Sequence, residues 1–140
     1  MAKKAKLSPT KLALDECARR GWIAEKVEQR LPRCFITKDF LGCIDILALT
    51  DTSFLGIQVT SRSNHAARRT KALLEPRLRR WWKLGGRFAV WSYDTDPAKG
   101  IVFREEEILD PSERAADHRA GHDGDPVGHA VADQLDLGRT

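Results

Sequence analysis

The chain has 140 residues, a length that predicts one domain with a core of its own. Its hydrophobic fraction of 41% and charged fraction of 31% are typical of a soluble globular protein, and no apolar run approaches the roughly 20 residues that a bilayer-spanning helix needs. The three cysteines, Cys17, Cys34 and Cys43, form no Cys-x-x-Cys pair, which favours reduced thiols over a disulfide framework or a zinc site. Because no apolar signal core follows the basic start MAKKAKLSPTK, we expect a cytoplasmic protein with no membrane partner.

Positive charge is distributed unevenly along the chain. Residues 1–109 contain 21 Lys and Arg against 13 Asp and Glu, a balance of +8, whereas residues 110–140 contain 3 against 7, a balance of −4. We predict a folded domain over 1–109 and an acidic, mostly disordered tail over 110–140, with one short helix near 128–136. A basic body favours a polyanionic partner such as nucleic acid, although many basic proteins bind no such partner.

The first third of the domain predicts one helix followed by two short strands. Ser8-Pro9 provides a favourable N-cap and first helical position, and Gly21 stands where a helix-ending glycine belongs. GWIAEKV at 21–27 then predicts a strand, and CFIT at 34–37 predicts a short strand or a bulge.

The rest of the domain predicts a hairpin, two helices and two further strands. CIDILALT at 43–50 and FLGIQVT at 54–60 are joined by a tight turn, which indicates an antiparallel hairpin of central strands. The later elements are a helix over 65–75, a helix PRLRRWWKL, a strand RFAVWSY, an edge strand IVF, and a solvated turn at Glu105, Glu106 and Glu107. This order predicts an α/β or α+β domain with a mixed sheet of about four to five strands flanked by helices.

Three polar side chains interrupt the two strands of the predicted hairpin. Gln58 and Thr60 share one face because strand side chains alternate, and the short turn brings Asp45 near Gln58. A carboxylate in a central strand is rarely buried unless it is paired or bound to a metal. Carboxylate, amide and hydroxyl oxygens are hard ligands suited to Mg²⁺ or Mn²⁺, so the pattern favours a metal site at Asp45 and Gln58.

Simpler interpretations of the same residues are open at this point. Asp45 is also compatible with a turn cap or an arginine pair, and Gln58 and Thr60 with the solvated face of an edge strand. The sequence RLRRWWKLGG suggests aromatic stacking with single-stranded nucleic acid or, alternatively, an amphipathic helix whose arginines are solvated. His118 and His122 have the spacing of a helical metal site, but neighbouring glycines disfavour a helix there.

The segment GCIDILALTDTSFLGIQVTSR resembles the core of the PD-(D/E)xK nuclease superfamily, particularly its resolvase-like and small phage nuclease branches. In that family a strand bearing a metal-binding Asp is followed by a hairpin to a strand bearing (E/Q)xK. The upstream RRGWIAEKV, which follows a helix, is similar to the helix–Gly–aromatic–strand opening of those resolvases. The resemblance extends over about residues 8–93.

This resemblance implies a restriction-endonuclease-like sheet and Mg²⁺- or Mn²⁺-dependent hydrolysis of phosphodiester bonds in duplex or branched DNA. It also suggests a homodimer, because resolvases cut two strands. Asp45 matches the metal-binding Asp, Gln58 matches the Glu/Gln position, and Thr60 stands where the family has a lysine. The family's first-helix Glu aligns near Thr10, with Glu16 as a substitute one or two turns later.

A cation elsewhere is expected to replace the family lysine, because Thr60 offers only a hydrogen bond. Lys71, in the helix that follows the site strand, is the first candidate and Arg62 the second. The predicted catalytic residues are therefore Asp45, Gln58, Thr60 and Lys71, and the predicted nucleic-acid contacts are Arg62, His65, Arg68 and Arg69.

Two other functions are compatible with the sequence. One is a nucleic-acid-binding protein that keeps the nuclease fold but has lost catalysis together with the lysine. The other is a small protein-interaction or structural module whose basic face is incidental.

Overall fold

A computed structural model of the protein describes residues 8–31 and 36–113. The predictions for the tail beyond residue 113, including the short helix near 128–136 and the His118–His122 pair, lie outside the described residues. Within the described part of the chain, no helix combines the length and the apolar character that a membrane crossing requires.

The first element, α1 (Pro9–Arg19), has the ends that the sequence predicts. The hydroxyl of Ser8 accepts a hydrogen bond from the backbone N–H of Lys11 at 3.4 Å, and Pro9 occupies the first helical position. The chain leaves the helix through Gly21, whose φ of +80° lies in the left-handed region that glycine tolerates. One face of α1 buries Ala13 and Cys17 against the sheet.

A mixed five-stranded sheet forms the centre of the protein. The strands in chain order are β1 (Ile23–Lys26), β2 (Gln29–Leu31), β3 (Ile36–Lys38), β4 (Ile46–Leu49), β5 (Phe54–Ser61), β6 (Arg87–Asp96) and β7 (Gly100–Glu107). The main sheet has the order β1-β4-β5-β6-β7, while β2 and β3 form a separate two-stranded hairpin.

Two helices connect the only parallel pair in the described sheet. After β5 the chain forms α2 (His65–Leu73) and α3 (Pro76–Lys83), and it then returns as β6 alongside β5. Every other pairing within the main sheet is antiparallel, including the predicted β4–β5 hairpin. The predicted fold class, a mixed sheet flanked by helices, is therefore confirmed.

The predicted solvated turn at Glu105–Glu107 is wrong, because these residues belong to β7. The pairing of β6 with β7 continues from Asp96 opposite Gly100 to Ala89 opposite Glu107. The three carboxylates are tolerated in this edge strand because side-chain donors from outside β7 reach them. Arg20 pairs with Glu105, His65 and Arg69 with Glu106, and Arg87 with Glu107.

Each face of the sheet packs against its own helices. Ile57 and Trp91 belong to the core on the α1 face, where buried apolar residues of β4, β5 and β6 meet the helix. Phe88 and Val90 point the other way, into a core with α2 and α3. Gln58 lies opposite Val90 in the parallel pairing, so its side chain is on the α2–α3 face of the sheet.

An acidic residue lies at each end of the β2–β3 hairpin. Glu28 immediately precedes β2, and Asp39 immediately follows β3. From Asp39 the chain makes a tight turn in which Leu41 and Gly42 have φ values of 54° and 73°. Phe40 and Ile44 form a bridge across this turn, which returns the chain to Asp45 at the start of β4.

Candidate metal centre

Asp45 lies one residue before β4, and not inside the strand as predicted. Its backbone N–H nevertheless extends the β4–β5 ladder by donating to the carbonyl oxygen of Ile57 at 2.9 Å. The side chain is only 5% exposed. Its Oδ2 accepts hydrogen bonds from Gln58 Nε2 at 2.9 Å and from the backbone N–H of Val59 at 2.8 Å. The predicted proximity of Asp45 and Gln58 is therefore confirmed by a direct bond.

Two further carboxylates meet Asp45. Oxygens of Glu28, Asp39 and Asp45 all lie within 4.8 Å of one another. The sequence prediction missed Glu28 and Asp39, which belong to no recognised strand pattern. Their spacing of eleven positions in the chain becomes proximity because the intervening residues form a hairpin. The sequence predicted only a short strand or a bulge at 34–37, so it contained no signal that would pair Glu28 with Asp39.

Burial makes ionisation of Asp45 unfavourable. Its pKa is raised from 3.8 to about 8, chiefly by desolvation and next by a hydrogen bond with the Asp39 carboxyl. The hydrogen bond from the Val59 N–H acts in the opposite direction by favouring the carboxylate. A hydrogen bond between two carboxyl groups requires a proton on one of them, so the group can exchange a proton for a cation.

Gln58 provides an independent indication of a missing ligand. Its side chain is 2% exposed, and the Nε2 atom is used by Asp45. The Oε1 atom of the same amide is buried and has no hydrogen-bond partner among the described residues. An unpaired buried carbonyl oxygen typically costs about 1–3 kcal/mol. A hard cation or a water would satisfy it, so the chemistry of the donor set fits Mg²⁺ or Mn²⁺.

Lys26 is the lysine that the described structure brings into contact with this group. It ends β1, and its Nζ lies 2.8 Å from Oε1 of Glu28. The ammonium-bearing side chain is 53% exposed, whereas that of Glu28 is 17% exposed. Sequence reasoning missed this residue because it sought a replacement lysine in the helix that follows β5, and Lys26 lies upstream of the β4–β5 hairpin.

The two residues predicted to complete catalysis take different positions. Thr60 is buried on the same face of β5 as Gln58, one side chain further along the strand. Lys71 lies on α2 beside Gly42, Glu75 and Arg77, in an open cavity of about 550 Å³. None of the three carboxylates lines that cavity, and no hydrogen bond or ion pair joins Lys71 to Asp45 among the described residues.

Two of the residues predicted to contact nucleic acid form hydrogen bonds within the protein. His65 is 2% exposed, and its Nδ1 and Nε2 are hydrogen-bonded to Ser92 Oγ at 2.7 Å and Glu106 Oε1 at 2.8 Å. Arg69 donates to Glu106 Oε2 at 3.1 Å. The hydrogen bond to His65 lowers the pKa of Glu106, which keeps this carboxylate charged. A nucleic-acid contact by His65 would require this network to open.

The other two predicted contacts remain at the surface. Arg62 is exposed and pairs with Asp94 at 3.2 Å, and Arg68 is half-buried on α2. Because a surface ion pair contributes little, Arg62 can exchange Asp94 for a phosphate at small cost.

The first-helix substitute does not join the carboxylate group. Glu16 is held by Arg19 and Arg20, and the hydrogen bond from Arg19 lowers its pKa. Thr10 lies on the same helix, which packs on the α1 face, away from Gln58. Within the described residues, the acidic position that accompanies Asp45 is therefore taken by Glu28 and Asp39.

The simpler interpretations can now be compared with the structure. Gln58 and Thr60 are buried in a central strand, so the solvated-edge interpretation is wrong. Asp45 has no arginine partner among the described residues. Trp82 is buried and donates to the Ile108 carbonyl at 3.1 Å, while Trp81 donates to that of Arg87 at 2.8 Å. Both rings are packing residues of an amphipathic helix.

No protein-family description, curated protein or solved structure matches the chain.

Proposed function

We propose that this protein is a divalent-cation-dependent nuclease of the PD-(D/E)xK type, which hydrolyses phosphodiester bonds in duplex or branched DNA. The observation that carries the proposal is the buried carboxyl group of Asp45, which lies with Glu28 and Asp39 within 4.8 Å, beside the unpartnered amide oxygen of Gln58. The resemblance of residues 42–62 to the family's metal-binding hairpin supports the same assignment.

A cation explains why these groups are gathered. Three carboxylates at this separation repel one another, and burial strengthens the repulsion by excluding water. Protonation relieves it in the absence of metal, which agrees with the raised pKa of Asp45. Glu28, Asp39 and Asp45 would hold Mg²⁺ or Mn²⁺, and Gln58 would orient Asp45 through its Nε2 and offer its Oε1 as a further oxygen.

The chemistry supplied by such a cation is Lewis acidity towards a phosphodiester and an attacking water. The protein's own residues have the tasks of orientation and charge balance. The N–H of Val59 and the amide of Gln58 fix the Asp45 carboxylate from two sides. Thr60, further along the same face, offers a hydroxyl to a substrate oxygen or a water. Lys71 and Arg62 are available to phosphates beyond the reacting one.

The test is a cleavage panel on linear, nicked, flapped and four-way DNA with Mg²⁺ or Mn²⁺. We expect wild-type cleavage that EDTA abolishes, and a loss of at least about 10²-fold in Asp45→Ala and Asp45→Asn. Asp45→Asn keeps the side-chain shape, so a thermal-melting measurement on it separates loss of chemistry from loss of fold. Asp51→Ala, which removes an exposed carboxylate from the β4–β5 turn, is the matched control and should keep full activity. Full activity in Asp45→Asn would exclude the assignment.

A second candidate function, favoured by Thr60 at the lysine position, is a nucleic-acid-binding protein without catalysis. It predicts salt-dependent DNA binding by wild type and no cleavage of any substrate with either metal. A protein that binds no DNA at low salt would instead support the interaction-module interpretation.

A further inference from the structure

Lys26 lies at the edge of the main sheet, next to the carboxylate group. It is the last residue of β1, an edge strand, and its neighbour Val27 donates a backbone hydrogen bond to the carbonyl oxygen of Asp45 at 2.8 Å. This bond fixes the end of β1 against the residue at the centre of the carboxylate group. The Lys26 side chain then reaches Glu28, with Nζ at 2.8 Å from Oε1.

We propose that Lys26 supplies the positive charge that the family lysine provides elsewhere, and that it acts on the phosphate as a catalytic residue. The inference rests on the proposed nuclease function. It replaces Lys71 as the first candidate, because Lys26 contacts the carboxylate group directly, whereas Lys71 lines a cavity that none of the three carboxylates lines.

Charge balance supports this assignment. The carboxylates of Glu28, Asp39 and Asp45, one divalent cation and the Lys26 ammonium group together carry no net charge. A phosphodiester can then approach without net repulsion. Without Lys26 the same group would be negative, and the anionic substrate would be repelled at short range.

The exposure of the two partners indicates how Lys26 becomes available. Its side chain is 53% exposed, whereas Glu28 is 17% exposed, so the ammonium group lies on the solvent side of the pair. With a cation bound, Glu28 would share its carboxylate charge with the metal, and its ion pair with Lys26 would weaken. The long, flexible lysine stem then allows Nζ to turn towards a phosphate oxygen.

The chemical step needs no further co-reactant. The oxygen of a water forms a bond to phosphorus, the bond from phosphorus to one sugar oxygen breaks, and that oxygen gains a proton while the water loses one to solvent. Lys26 stays protonated throughout and stabilises the negative charge that builds on the non-bridging phosphate oxygens.

This role predicts effects of opposite sign on metal binding and on catalysis. In Lys26→Met, which preserves side-chain length without the charge, the single-turnover cleavage rate should fall about 10²–10³-fold. The same variant should bind Mn²⁺ about two- to fivefold more tightly, because the ammonium group no longer competes for Glu28. Lys26→Arg should recover part of the rate. Mn²⁺ binding is measured without DNA, by titration followed with electron paramagnetic resonance.

Two lysine variants serve as controls. Lys99→Ala removes an exposed charge from the β6–β7 turn and should change neither quantity. Lys71→Ala tests the alternative directly and should reduce the rate by less than tenfold. If Lys26→Met cleaves DNA at the wild-type rate, the inference is overturned while the nuclease function stands. Wild type that binds Mn²⁺ but cleaves no DNA would contradict the nuclease function itself.

Discussion

Asp45 combines an acidic side chain with a buried position, and its neighbours determine which charge state is stable. Two hydrogen-bond donors favour the carboxylate, while desolvation and the Asp39 carboxyl favour the protonated acid. The second pair of influences dominates, since the pKa rises to about 8. At neutral pH in the absence of metal, the folded protein therefore holds a proton that the unfolded chain releases.

This proton links stability to pH in a direction unusual for an aspartate. Between about pH 4 and pH 8 the folded state binds one proton more than the unfolded state, so the free energy of unfolding should fall as pH rises. The slope is at most about 1.4 kcal/mol per pH unit. In EDTA we expect the urea midpoint to decrease from pH 5 to pH 8 in wild type and to change much less in Asp45→Asn.

Added Mg²⁺ should reverse this dependence, because the cation competes with the proton for the same oxygens. The stabilisation by metal should increase with pH over the same interval. A wild-type midpoint that rises with pH in EDTA, as it does for an aspartate with a lowered pKa, would contradict the protonated state of Asp45.

The residues of the site differ in how readily they can be predicted from the sequence. Asp45 and Gln58 interrupt apolar strand patterns, and the hairpin between them is short, so their meeting was predictable. Glu28 and Asp39 lie in polar segments without a period, and Lys26 ends a predicted strand, where a charged residue is expected at the surface. The pairing of β1 with β4 brings Lys26 and Glu28 to Asp45, and the return of the chain through β2 and β3 brings Asp39 there.

At the level of secondary-structure elements, hydrogen bonds hold α2 against the sheet. His65 at its first position bridges Ser92 of β6 and Glu106 of β7, and Arg69 reaches the same carboxylate one turn later. Ser92 is fully buried, so the serine–histidine–glutamate arrangement has no access for a substrate. Its role is to fix the start of the helix that carries Arg68 and Lys71.

Removing the charge of Glu106 should loosen this attachment. We expect Glu106→Gln to lower the free energy of unfolding by about 1–3 kcal/mol, because His65 and Arg69 use the two oxygens of Glu106 and an amide has only one acceptor oxygen. Urea denaturation provides the measurement. Glu25→Gln, an exposed residue of β1 without a described ion pair, should change stability by less than about 0.5 kcal/mol. Equal effects of the two substitutions would show that the network does not stabilise the fold.

Strands and helices were predicted most accurately where apolar residues have a clear period. The ends of α1 and the β4–β5 hairpin follow from capping residues and alternation. The length of β7 did not follow, because Glu105–Glu107 resemble a solvated turn until Arg20, His65 and Arg87 are known to approach them. These partners are distant in the chain, so the local composition does not predict them.

At the scale of the molecule, positive charge is concentrated on one face. The segment 65–83, which contains α2 and α3, has seven Lys and Arg against one acidic residue, a balance of +6. By contrast, α1 on the opposite face has two of each sign and forms ion pairs within itself. Because Leu78 and Trp82 are buried, the rotation of α3 is fixed and its cations point to solvent.

Three exposed cations of α3, Arg79, Arg80 and Lys83, have no ion-pair partner among the described residues. We expect them to contact the phosphates of duplex DNA, since the tryptophans beside them are used in packing and offer no stacking surface. Replacing all three by Ala in an Asp45→Asn background should reduce the slope of log affinity against log salt by about 2–3. Fluorescence anisotropy over a salt series provides the slope.

The matched control removes three cations elsewhere, Lys11, Arg19 and Lys99, and therefore gives the same change in net charge. It should leave the slope nearly unchanged. If both triple variants reduce the slope equally, net charge and not the α3 face determines binding.

The β2–β3 hairpin contains two kinds of residue, which we expect to differ in how freely they can be substituted. Its two base residues, Glu28 and Asp39, belong to the carboxylate group, whereas Gln29–Leu31 and Thr37–Lys38 in the two strands are exposed. Exposed positions generally tolerate substitution, so we expect the two strands to vary more readily than the two base residues. In the proposed nuclease, the hairpin is therefore the position at which we expect substrate preference to change, by selection or by grafting, while the carboxylate group is kept.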